Sequence, residues 1–135
     1  MQWPHVTAGY LAVLALIYAA LATHVVLLRR RNRAAFGDAD NLALRSAIRG
    51  HAHFAEYVPI ISLMAAMLEM SGLAASRVHL LMGALLLARL LHPFGMHAKP
   101  TTWRFRICRS GGMTLTITVM IVAAVMILTR LWRSV

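Results

Sequence analysis

Apolar positions along the chain gather into four long runs separated by polar connections. The first run is Val6–Leu28, the second has its apolar part at Tyr57–Met70, the third is Val78–Leu91 and the fourth Met113–Leu131. A bilayer span takes about 20 apolar residues. The first and fourth runs meet that length alone. The second reaches it by extending backward through Leu42–Phe54, which keeps helical spacing but is polar on one side. The third can begin near Ala74. The pattern predicts an all-α fold, an integral membrane four-helix bundle formed as one domain over residues 1–135. The second helix is then long enough for its first half to project beyond the bilayer or to line a wet cavity. Gly37-Asp38-Ala39-Asp40-Asn41 is the clearest turn cluster, with Asp40 or Asn41 as N-cap of the second helix. Ser71-Gly72 closes that helix, and Gly95 and Pro100 bound the third.

Composition supports the same class. Hydrophobic residues make up 60% of the chain, and only four residues are acidic. A soluble domain is nearer roughly 45–50% apolar, and four carboxylates cannot solvate the surface of a 135-residue globule. The net charge of +10 resembles that of a nucleic-acid binder, but its distribution fits membrane topology instead, so no nucleic-acid partner is expected. Arg29, Arg30, Arg31, Arg33 and Arg45 lie between runs one and two, and Lys99, Arg104, Arg106 and Arg109 between runs three and four. The turn between runs two and three carries only Arg77, the segment Met1–His5 carries no Lys or Arg, and Arg130 and Arg133 end the chain. The positive-inside rule then puts both basic connections in the cytoplasm and both termini on the periplasmic side of a bacterial inner membrane. Ala20-Leu21-Ala22 resembles a cleavage site, but arginines follow the first run rather than precede it, which is the pattern of a retained span.

The polar stripe on the second helix is where chemistry concentrates. At about 100° per residue, Arg45, Arg49, His53 and Glu56 share one face, with Tyr57 beside it. Pro59 frees the carbonyl of Ala55 and predicts a kink. One reading of the stripe is structural, with Arg49 and Glu56 helping to close the bundle. The other is a site for a small zwitterion with excess negative charge: arginines hold carboxylates bidentately and Glu56 holds an ammonium. Glutathione has the matching groups, and so do other anions. The single Cys108 excludes an internal disulfide. His51 and His53 are two apart and point to different helix faces, so no metal is expected. Glu69, near the far end of the second run, fits an interfacial residue or a proton relay.

Arg49-xxx-His53-xx-Glu56-Tyr57-x-Pro59 resembles the helix-two signature of the membrane-associated proteins in eicosanoid and glutathione metabolism, the MAPEG superfamily. Ala88-Arg89-Leu-Leu-His92-Pro-Phe-Gly95 is similar to the Arg-x-x-His and glycine pattern of its bacterial members. The resemblance covers essentially the whole chain. It implies a homotrimer that binds glutathione as co-substrate between subunits near the cytoplasmic face. Arg49, Glu56 and Tyr57 would bind the peptide, with His53 where the family usually has Asn. Arg30, Arg89 and His92 would complete the contacts, and Arg104 (or Arg106) would help form the thiolate. His92 and Met96 stand where the leukotriene C4 synthase branch has tyrosines.

The expected function is therefore that of a membrane glutathione transferase or peroxidase acting on a lipophilic electrophile or a lipid hydroperoxide. A lipophilic small molecule and membrane lipids are its expected partners, besides further copies of the chain. A non-catalytic lipid-binding scaffold of the same fold is the alternative, favoured by the missing tyrosines. A small four-span drug exporter needs an acidic residue in span one, and span one has none.

Overall fold

Four helices follow in order: α1 (His5–Arg31), α2 (Leu42–Met70), α3 (Ala75–Met96) and α4 (Gly112–Ser134). They come from a computed structural model that describes residues 3–96, 103 and 110–134, with backbone only at 92–96 and 134. Each apolar run of the sequence lies inside one helix, and α2 includes the polar extension. At 29 residues and about 1.5 Å rise per residue, α2 is about 43 Å long, more than the roughly 30 Å hydrocarbon thickness of a bilayer.

Helices α1 and α4 each pack on both α2 and α3 and do not touch one another among the described residues. The pair α2–α3 therefore forms the middle of the bundle. Its core repeats at helical spacing: Phe54, Val58, Ile61, Ala65 and Leu68 from α2 meet Val78, Met82 and Leu85 from α3, with Leu14 and Val119 closing the sides. In α1 only Thr7 and Leu14 are buried, while Leu11, Val13, Leu16, Val26 and Leu27 are exposed. The most apolar face of a water-soluble protein would be inside. Here α1 turns it outward, as a helix facing hydrocarbon does.

The loops use the residues that the sequence marks for them. Asn41 is the N-cap of α2: its side-chain oxygen accepts from Leu44 N at 3.0 Å, and its amide donates to Asn32 Oδ1 at 3.0 Å. At the other end Gly72 takes φ +84°, where a Cβ is strained. Gly72 N bonds Glu69 O and Leu73 N bonds Leu68 O, both at 3.0 Å, with Leu73 and Leu68 buried together. This satisfies the last carbonyls of α2. The helix runs continuously through Pro59.

Glu69 has a role that no local pattern announces. Its carboxylate accepts from Val6 N at 2.8 Å, Thr7 N at 2.9 Å and Thr7 Oγ1 at 2.7 Å. It thus caps the start of α1 from another helix, where free N–H groups and the positive end of the macrodipole favour an anion. Pro4, the residue before α1, offers no side-chain cap of its own. Of the two sequence expectations for Glu69, the geometry accounts for the carboxylate by capping, without a relay. Glu69→Ala should lower stability by about 1–3 kcal/mol, seen as a lower thermal unfolding midpoint in detergent. An unchanged midpoint would contradict the capping role.

Candidate functional site

The residues singled out on α2 divide into an outward pair and an inward pair. Arg49 and Glu56 are exposed, whereas His53 and Tyr57 are half-buried. The His53 and Tyr57 rings meet edge to face, with centroids 6.3 Å apart and an interplanar angle of 77°. No ion pair joins Arg49 to Glu56 among the described residues. Two turns separate them along α2, so a guanidinium and a carboxylate stand apart on one exposed face.

Arg45 leaves the stripe. Its guanidinium bonds Asp38 through Nε and lies 3.5 Å from Asp40 through Nη2, which ties the α1–α2 loop to the first turns of α2. The Arg45 hydrogen bond is the main reason the Asp38 carboxyl titrates below its usual range. A lowered folded value means that the contact is complete above the unfolded value and is lost only as pH falls through the folded one.

Arg89 of α3 is buried within the bundle. It is 1% exposed, the largest fully buried side chain among those described. One Nη donates to Thr116 Oγ1 on α4, and Thr116 itself donates to Gly112 O at 2.7 Å. Its Nε has no hydrogen-bond partner among the described residues. The Tyr57 hydroxyl lies within electrostatic range of the guanidinium. A guanidinium is rarely buried with a hydroxyl as its neutral partner. The arrangement keeps a positive charge inside the bundle, near Tyr57 of α2.

Arg30 is exposed at the end of α1 and lines an open groove of about 420 Å³ with Arg29, Arg33 and Val26. No hydrogen bond or ion pair joins it to the α2 stripe within one chain. The side chain of His92, that of Met96, and both Arg104 and Arg106 lie outside the described residues. So does Cys108.

Sequence reasoning missed an aromatic stack near the stripe. Tyr18 of α1 lies flat on His51, centroids 4.6 Å apart at 17°, and also stacks on Phe54 at 5.6 Å. Beside it Leu11, Leu14, Ala15, Tyr18, Phe54, Ala55, Val58 and Pro59 line an apolar groove of about 230 Å³. The groove opens within one turn of Glu56. The stack joins α1 to α2, so nothing within either segment alone marks it. His79 bonds the Tyr10 hydroxyl at 3.3 Å, as a hydrogen-bonded span histidine should.

Fold and site together define a helical membrane protein whose second helix carries an outward cation and an outward carboxylate, and whose third helix carries a buried arginine. The family model described as the MAPEG family matches residues 7–129, and the chain belongs to that family. Two curated relatives are similar over nearly all of it. Inner membrane protein YecN of Escherichia coli K12 is 35% identical over 127 residues, which are 94% of this chain and 91% of the relative. The same protein from E. coli O6:H1 strain CFT073 matches equally. No solved structure matches the chain.

Proposed function

We propose that the protein is a glutathione-dependent enzyme of the bacterial inner membrane, with both basic connections on the cytoplasmic side. The observation that carries this reading is the exposed pair Arg49 and Glu56 on α2, beside Tyr57, which lies within electrostatic range of buried Arg89. Separated opposite charges suit a zwitterionic peptide: Arg49 takes a carboxylate, Glu56 takes the γ-glutamyl ammonium, and Tyr57 donates its hydroxyl. A homotrimer would complete the site, since a neighbour covering the stripe removes its charges from lipid. Arg30 forms no hydrogen bond or ion pair with the stripe of its own chain among the described residues and would reach it from such a neighbour. His53, His92 and Arg104 (or Arg106) are further proposed contacts, the last beside the thiol.

The chemistry needs a thiolate. A thiol of pKa about 8.5 is mostly protonated at neutral pH, and lowering it by about two units corresponds to roughly 3 kcal/mol. In conjugation, the thiolate sulfur forms a bond to an electrophilic carbon and the leaving group departs with its electron pair. In peroxide reduction, two glutathione thiols are oxidised to the disulfide while the hydroperoxide becomes an alcohol and water. The apolar groove beside Pro59 offers an entry for a co-substrate dissolved in the bilayer. A lipid-binding scaffold would use the same groove without turnover.

Steady-state assays of the purified protein with glutathione and either an aryl halide or a lipid hydroperoxide test the reading. Saturable turnover that depends on both substrates is expected. Binding of glutathione with no turnover toward either class would favour the scaffold.

A further inference from the structure

The last turns of α2 and α4 lie side by side at the end of the bundle where α1 begins. They leave an open groove of about 490 Å³ lined by Met67, Leu68, Ser71, Ile127, Arg130, Leu131 and Arg133. We propose that this groove binds one anionic phospholipid of the leaflet bordering the termini, its acyl chain along Met67 and Leu131 and its phosphate at the two arginines.

Three observations support that occupant. First, the groove is amphipathic in the sense of a lipid. Its wall of Met67 and Leu131 is more than half exposed, and its mouth is cationic. Second, no carboxylate among the described residues neutralises the cations. Arg130 Nη1 donates to Ser71 O at 2.6 Å and to Ser71 Oγ at 2.7 Å, which fixes the guanidinium over the α2–α3 turn. No carboxylate among the described residues lies within ion-pair reach of Arg130 or Arg133. Glu69, the acidic residue at this end, is already occupied by the start of α1. Third, these arginines lie opposite the basic connections, so the charge bias that orients the chain does not explain them. A preset guanidinium beside a second one matches a phosphodiester, and the apolar wall distinguishes a lipid from a free anion.

The site is at the opposite end of the bundle from the α2 stripe, so its test is independent of the glutathione reading. The delipidated protein in detergent is titrated with phosphatidylglycerol or phosphatidylcholine of identical chains and examined by native mass spectrometry. Phosphatidylglycerol should be retained at roughly tenfold lower concentration than phosphatidylcholine. Arg133→Gln and Met67→Trp should each weaken one bound lipid per subunit by about fivefold, with glutathione binding unchanged, and Arg133→Lys should retain most of the affinity. Arg130→Gln is less informative because Arg130 also holds the turn. Equal retention of the two lipids would overturn the proposal. So would an unaltered lipid count in both Arg133→Gln and Met67→Trp, displacement by glycerol phosphate alone, or cross-linking that places a neighbouring copy over Met67 and Leu131.

Discussion

Arg49→Ala should weaken glutathione binding by roughly 10–150-fold, while Arg31→Ala should change it by no more than about fivefold. Both residues are exposed arginines near the basic connections, so net charge alone predicts equal effects. Position separates them. Arg49 shares one helix face with Glu56, and a peptide with a carboxylate and an ammonium can span both. A charge-assisted contact in a partly desolvated groove contributes about 1.5–3 kcal/mol. Arg31 sits in a run of arginines at the end of α1, where solvent screening leaves about 1 kcal/mol or less. Glu56→Gln should also weaken binding, yet spare analogues that lack the γ-glutamyl amine. Calorimetry on the three variants and such an analogue reads all of these outcomes. Equal losses for Arg49→Ala and Arg31→Ala would reduce the stripe to a diffuse positive field.

Arg89→Leu should separate binding from folding. Most buried side chains stabilise the fold they sit in, and their truncation lowers the unfolding midpoint. Arg89 differs because its charge is desolvated with one hydroxyl as its described partner and with Nε unpartnered among the described residues. Replacing a buried ion pair by apolar side chains of similar volume is commonly neutral or stabilising by about 1–4 kcal/mol, and a desolvated charge with no ion-pair partner among the described residues has less attraction to lose. Thr116 loses no acceptor when Arg89 is removed, because its hydroxyl still donates to Gly112 O at 2.7 Å. The thermal midpoint should therefore hold or rise, while glutathione binding falls at least roughly tenfold. A midpoint that falls with binding intact would make Arg89 a structural residue.

Much of this architecture was legible along the chain, because a bilayer imposes strong rules on sequence. Run length gave four helices, and the polar half of α2 was recognisable from helical spacing within one segment. Asn41 and Gly72 could be read for the same reason: caps and left-handed turns are local. What escaped was tertiary. Glu69 and Thr7 are 62 positions apart, and nothing near either residue marks one as the cap of the other's helix. The stack of Tyr18 on His51 and the burial of Arg89 against Thr116 likewise depend on how helices are rotated about their axes. Arg45 shows the converse. Helical spacing put it on the stripe, but the nearby loop carboxylates of Asp38 and Asp40 hold it instead. The rest of the stripe divides as well: Arg49 and Glu56 are exposed while His53 and Tyr57 are half-buried, a distinction set by how α2 is rotated in the bundle and not by spacing along it.

The central claim is that the α2 face, with buried Arg89 near Tyr57, is a glutathione site. Isothermal titration of the purified protein with glutathione and an S-alkyl glutathione tests it most directly. Saturable binding of both ligands is expected, tighter for the S-alkyl form because its chain enters apolar surface, and reduced in Arg49→Ala. No saturable heat at millimolar ligand, with the protein folded, would contradict it.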